Sequence, residues 1–123
     1  MDSVVQSITL ETTNAVPTGN PNTDPADGTL LLANRSTSYT KARFVMQADG
    51  GTTPGATVQG YQYIASLDMW TKVGGEETIS PGEPYEVDLF CGAALGDDRC
   101  AFHLHVSAIT GDPDSVTFPV WSA

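Results

Sequence analysis

From residue 84 to 109 the chain alternates apolar and polar side chains with a period of two, the pattern of a strand with one dry and one wet face. Tyr85, Val87, Leu89 and Cys91 alternate with Glu86, Asp88 and Phe90. Beyond a Gly- and Asp-rich turn, Cys100, Phe102, Leu104 and Val106 alternate with Ala101, His103, His105 and Ser107. Read as a β-hairpin, the stretch pairs Cys91 with Cys100, Leu89 with Phe102, Val87 with Leu104 and Tyr85 with Val106. The other face then sets Asp88 opposite His103 and Glu86 opposite His105. An antiparallel β domain is the expectation.

The same period recurs elsewhere. Residues 4–11 read as a first strand with Val4, Ile8 and Leu10 on one side. Residues 29–33 form a short second strand whose three leucines call for burial on both faces or a bulge. Over 41–48, Ala42, Phe44 and Met46 oppose Arg43, Val45 and Gln47. The run 58–69 is β-rich, but its apolar phase drifts between Tyr63 and Met69, as at a bulge or a join between two strands. Residues 70–75 complete a strand, Ser80-Pro81-Gly82 predicts a turn, and Val116, Phe118 and Val120 mark a last strand after Asp112-Pro113-Asp114. The expected fold is all-β, a β-sandwich of seven or eight antiparallel strands with jelly-roll or Greek-key topology. A flattened barrel is the alternative. Residues 1–123 are expected to make one domain. Within it, 12–28 carries three prolines, two glycines and three asparagines and fits no regular element. It is expected to be disordered or an extended arm lying on something.

Charge narrows the function classes. Fifteen acids against five bases give a net charge of -10, spread along the chain. With so few cations, neither nucleic acid nor an anionic membrane surface is an expected partner. Met1-Asp2 opens without a basic start or a long apolar run, so synthesis in a cytoplasm without a signal peptide is expected. Asn34-Arg35-Ser36 matches a glycosylation sequon, which has meaning only on a secretory route.

Four groups of residues are candidates for chemistry or binding. Cys91 and Cys100 are the only cysteines and face each other in the hairpin register, as two buried thiols or as a disulfide. His103 and His105 lie on one strand face, and with Asp88 or Glu86 across the ladder they form cross-strand polar pairs. The same imidazoles and carboxylates have the chemistry of an open transition-metal site, but no metal and no cofactor is assigned. A neighbouring subunit covering that face would turn the two histidines into titratable interface groups. Trp70 and Trp121, with Tyr39, Tyr61, Tyr63 and Tyr85, supply rings for core packing, a protein interface or a sugar platform. Asn22, Asp24, Asp27, Asp97 and Asp98 offer oxygen ligands without the regular spacing of a calcium loop.

No serine or cysteine is marked as a nucleophile, so the chain is not expected to be an enzyme. The acidic β-sandwich with long Gly/Pro/Thr/Asn arms resembles, in type, the small accessory proteins of bacteriophage virions, such as head-decoration or minor capsid proteins. The resemblance is one of general profile and carries no site residue. It implies a structural protein of the virion that packs on itself, as a homo-oligomer, or on a capsid lattice. The alternative is a non-catalytic β-sandwich module that binds a glycan or a host surface.

Overall fold

The computed structural model describes residues 6–23, 25–33, 39–90 and 99–122. Val4, the Asn34-Arg35-Ser36 sequon, Asp24, Cys91 and the Asp97-Asp98 pair lie outside the described residues. The pairing of Cys91 with Cys100 therefore lies outside them too.

The described chain forms nine strands: β1 (Gln6–Leu10), β2 (Thr29–Ala33), β3 (Tyr39–Val45), β4 (Gln47–Asp49), β5 (Gly55–Ile64), β6 (Met69–Ile79), β7 (Pro84–Phe90), β8 (Arg99–Thr110) and β9 (Ser115–Ser122). They build a β-sandwich. One sheet, here sheet A, runs β1-β9-β3-β7 with short β4 also on β9; the other, sheet B, runs β2-β8-β5-β6. All pairings are antiparallel.

The wiring is a jelly roll. β1 pairs with β9, β2 with β8, β3 with β7 and β5 with β6, so the two halves of the chain are nested like one long hairpin. The hairpin rolls up when β9 also pairs with β3 and β8 with β5. Its tip is the turn after Ile64, closed by Leu67 N–H to Ile64 O at 3.2 Å and Asp68 N–H to Ala65 O at 3.3 Å. The drift of apolar phase between Tyr63 and Met69 is this turn. Among the described strands, β5 and β6 are the only sequence neighbours that pair.

The described residues of the alternating apolar sets reach the core. Ile8, Leu10, Leu32, Ala42, Phe44, Met46, Leu89, Phe102, Leu104, Val106, Val116, Phe118 and Val120 are buried in one cluster, with Leu30, Tyr85 and Val87 packed against it. The expected pairing of 84–91 with 100–107 is not what forms. β7 lies in sheet A on β3, with Leu89 opposite Thr40 and Tyr85 opposite Phe44. β8 lies in sheet B between β2 and β5. The two segments therefore lie in different sheets instead of along one ladder. Their periodicity reports that each has one dry face, and both sheets of a sandwich present such a face.

The sheets are joined where β7 ends. Gln62 of β5 points inward, fully buried; its Nε2 donates to Phe90 O at 2.8 Å and its Oε1 accepts from Phe90 N–H at 2.9 Å. The side-chain amide stands in for a neighbouring strand. Cys100 Sγ, also buried, lies 3.9 Å from the same Phe90 oxygen.

The predicted turn at Ser80-Pro81-Gly82 forms, with Gly82 at φ +84° and Glu83 N–H bonded to Ser80 O at 3.3 Å. At the opposite connection, Gly111 (φ +83°) packs on the loop at 50–54. A Cβ there would lie 2.5 Å from Thr52 O, so only glycine fits.

Candidate functional site

Residues on the outer face of sheet B come from three strands. Alternation puts Tyr61 and Tyr63 of β5, Trp70 and Lys72 of β6, and His103 and His105 of β8 on that side, because Phe102, Leu104 and Val73 point to the core. The ladder registers them: Tyr61 opposite His103 and Lys72, and Tyr63 opposite Trp70. Five rings follow one another across the sheet. Tyr63 to Trp70 is 5.4 Å between centroids, Trp70 to His103 6.1 Å, His103 to Tyr61 6.4 Å and Tyr61 to His105 6.2 Å. Interplanar angles of 59–70° make every contact tilted or edge-on, the arrangement that the ring quadrupoles favour over a face-to-face stack. Tyr63 and His103 are buried; Trp70, Tyr61 and His105 stay partly exposed.

Within 12–28, the described residues 12–23 and 25–28 form an arm that lies on this sheet. β2 covers β8 only as far as His103, and the arm satisfies the β8 backbone beyond it. Leu104 N–H donates to Gly28 O at 3.1 Å, and Asn14 N–H donates to Val106 O at 3.3 Å. The Asn14 side chain accepts from Val106 N–H at 2.7 Å and donates to Leu104 O at 2.9 Å. Further along, Gly19 O accepts from the Trp70 indole N–H at 3.0 Å, which fixes that ring. Pro17 and Pro21 of the arm are buried.

His103 sits under the arm, 0% exposed. Its Nε2 lies 3.0 Å from Ala15 O, an acceptor only, so Nε2 carries the proton. Nδ1 then accepts from the Thr29 hydroxyl at 2.8 Å. Burial pushes its pKa down to about 4; the bond to Ala15 O opposes that shift, the neighbouring His105 adds to it, and Asp27 opposes it weakly. The imidazole is neutral at physiological pH. What covers His103 here is the chain's own arm.

At the far end of the row, the Tyr63 hydroxyl donates to the Asp68 carboxylate. That hydrogen bond, with burial and the negative charge behind it, raises the Tyr63 pKa above its ordinary value.

Asp88 and Glu86 are not opposite the histidines. They lie on the outer face of sheet A, where β7 meets β3: Lys41 Nζ is 3.1 Å from Asp88 and 3.6 Å from Glu86, and Arg43 Nε is 3.5 Å from Glu86. The imidazole–carboxylate site therefore does not assemble, since its parts belong to different sheets. Among the described residues, no group of three His, Cys, Asp or Glu is placed to hold a metal ion. Trp121, partly buried and opposite Arg43 in the ladder, is on sheet A as well, so the two tryptophans do not share a platform. Tyr85 stacks on Phe44 at 6.1 Å and belongs to the core.

The sequence reading singled out both histidines and Trp70 but did not bring them together. The placement of 61, 63, 70, 72, 103 and 105 on one face follows from alternation only once β5, β6 and β8 are known to be neighbours. The role of Asn14 had no signal in the sequence, because its partners on β8 are backbone groups some ninety residues away.

No family model matches the chain, and no curated protein does. Among solved structures it is similar to the N-terminal endo-1,4-beta-D-xylanase 10B of Clostridium thermocellum, whose CBM22-1-GH10 modules were crystallised with xylohexaose. The TM-score is 0.44 and the identity 9%, over 98% of this chain and 24% of that one. This chain thus spans about a quarter of that chain's length. A likeness of that degree carries no information about what this chain binds.

Proposed function

We infer that the protein is a non-catalytic binding module whose ligand is a glycan, and that its site is the outer face of sheet B. The observation that carries this reading is the ring row, in which Trp70, Tyr61 and His105 remain partly exposed while their neighbours are buried. A pyranose ring has an apolar face of C–H groups and an equator of hydroxyls, so it is matched by a fixed aromatic surface with polar groups at its margin. The rows of a sheet hold such rings at set spacings, and rigid elements keep a site in register better than loops do. Trp70 is held further by its bond to the arm. Lys72 and the imidazole of His105 border the rings with hydrogen-bonding groups.

Calorimetric titration with neutral oligosaccharides, followed for the wild type and for Tyr61→Ala and Trp70→Ala, tests the reading. Each substitution is expected to weaken binding about tenfold, as loss of a contact of roughly 1.4 kcal/mol does. Tyr61→Ala is the cleaner variant, since the Trp70 indole also anchors the arm. Unchanged affinity in both, with the fold intact, rules out this face as the site.

A second reading is favoured by a different observation. Val16, Leu67, Met69 and Phe90 are large apolar side chains exposed to solvent. Surfaces of that kind are buried when a protein packs on copies of itself or on a larger shell. In that reading the protein is a structural component of a virion, such as a head-decoration or minor capsid protein, synthesised in the host cytoplasm. The assembly mass in solution separates the two readings.

A further inference from the structure

A groove of about 480 Å³ runs along the open edge of the sandwich, where β6 of sheet B and β7 of sheet A come together. Its walls are Lys72, Val73 and Gly74 on one side and Lys41, Glu86, Val87, Asp88 and Phe90 on the other. We propose that this groove is a second saccharide subsite, continuous with the ring row through Lys72, and that it takes the neutral, hydroxyl-rich end of an oligosaccharide whose other end lies on Trp70 and Tyr61. The proposal rests on the glycan reading of the sheet B face and extends it around the edge of the fold.

Four features of the groove point the same way. Its volume is within the roughly 300–1,000 Å³ of small-ligand sites. Phe90 is 60% exposed, although the backbone beneath it is clamped by two hydrogen bonds with Gln62, one donated and one accepted. It is therefore a ring presented to solvent on a fixed base. The carboxylates of Glu86 and Asp88 are set in place by Lys41, and Glu86 by Arg43 as well, which leaves oriented acceptors for sugar hydroxyls. Gly74, at φ +70°, closes on Val87, whose methyl groups would stand 3.5 and 3.6 Å from an added Cβ, so the two walls meet there and give the groove a packed floor.

Charge selects the class of ligand. In a chain of net charge -10, two lysines balance two carboxylates around this groove. Neither an anion nor a cation is drawn to a neutral lining, whereas a polyhydroxylated chain satisfies donors and acceptors together. Lys72 joins the two regions: it lines the groove, and in the ladder it lies opposite Tyr61 of the ring row.

The test is a length series. Wild-type protein and Phe90→Ala are titrated with β-1,4-linked xylose, glucose and mannose oligomers of three and six units, and amide shifts are followed by NMR. The wild type is expected to bind a hexamer more tightly than its trimer, with the Gly74 and Phe90 amides moving only for the hexamer. Phe90→Ala should lose about tenfold in hexamer affinity, the equivalent of one aromatic contact, and keep trimer affinity. An unchanged hexamer-to-trimer ratio in Phe90→Ala overturns the groove while leaving the ring row standing. Loss of trimer binding in that variant also overturns it, because the groove would then be the primary site. Absence of binding to every oligomer by the wild type removes both readings at once.

Discussion

At the scale of single residues, the described structure relies on side-chain amides that take the place of missing strands. Gln62 is the clearest case. It lies in a row of inward-facing positions with Val58 and Gly60, where an apolar residue is the default, yet it is polar and fully buried. Its two bonds to Phe90 satisfy the end of β7, which has no neighbour on that edge among the described strands. Replacing it by leucine keeps the volume but strands both Phe90 backbone groups. Gln62→Leu is expected to cost about 2–3 kcal/mol, since each buried group left without a partner costs about 1–3 kcal/mol less any water that reaches it. The midpoint of chemical denaturation measures this; a loss below about 0.5 kcal/mol shows that the clamp is dispensable. The sequence displays Gln62 as one more polar residue in a β-rich run, and nothing in its spacing points to Phe90.

At the scale of elements, the arm and β8 act as one unit, and His103 couples them to pH. The imidazole has a folded pKa of about 4, below the roughly 6.5 of an unfolded chain. Between those values the unfolded state binds more protons than the folded one. The contribution is therefore complete above pH 6.5 and is lost as pH falls toward 4, at most about 3 kcal/mol. Protonation also turns Nδ1 into a donor facing the Thr29 hydroxyl and brings a positive charge beside His105. Wild type is expected to lose more stability than His103→Gln between pH 7 and pH 4.5, with hydrogen exchange quickening first at Val106 and Leu104. Equal losses in the two proteins would show that His103 is not the coupling group. Two histidines, two residues apart on a strand, were legible in the sequence. The arm above one of them was not, because Asn14 and Ala15 meet β8 only after the long hairpin has rolled.

At the scale of the whole molecule, the two functional readings separate by mass. A binding module acts as a single 13.0 kDa copy, whereas a shell component that packs on itself gives a defined multiple. The net charge of -10 holds copies apart at low ionic strength, and that repulsion fades once the Debye length drops to about 8 Å near physiological salt. The glycan reading predicts one copy by light scattering at both low and physiological salt. A closed oligomer that appears or tightens with salt would favour the structural reading and direct attention to Phe90, Met69 and Leu67.

The sequence alone established an all-β chain and pointed to a β-sandwich ahead of a flattened barrel. Alternation at 42–46, 85–89, 100–106 and 116–120 dictates one dry face per strand, and turn chemistry at Ser80-Pro81-Gly82 closes one connection as expected. Those are local properties, governed by side-chain period and by φ preferences within a few residues. Only the tertiary structure decided which dry faces belong to the same sheet. β7 and β8 have the same pattern but lie in opposite layers, so Asp88 and Glu86 pair with Lys41 and Arg43 while His103 and His105 join Trp70 and Tyr61. Strand pairing in a jelly roll links segments far apart in the chain, and its register depends on how the whole core fills. The period of any single strand contains no record of that choice.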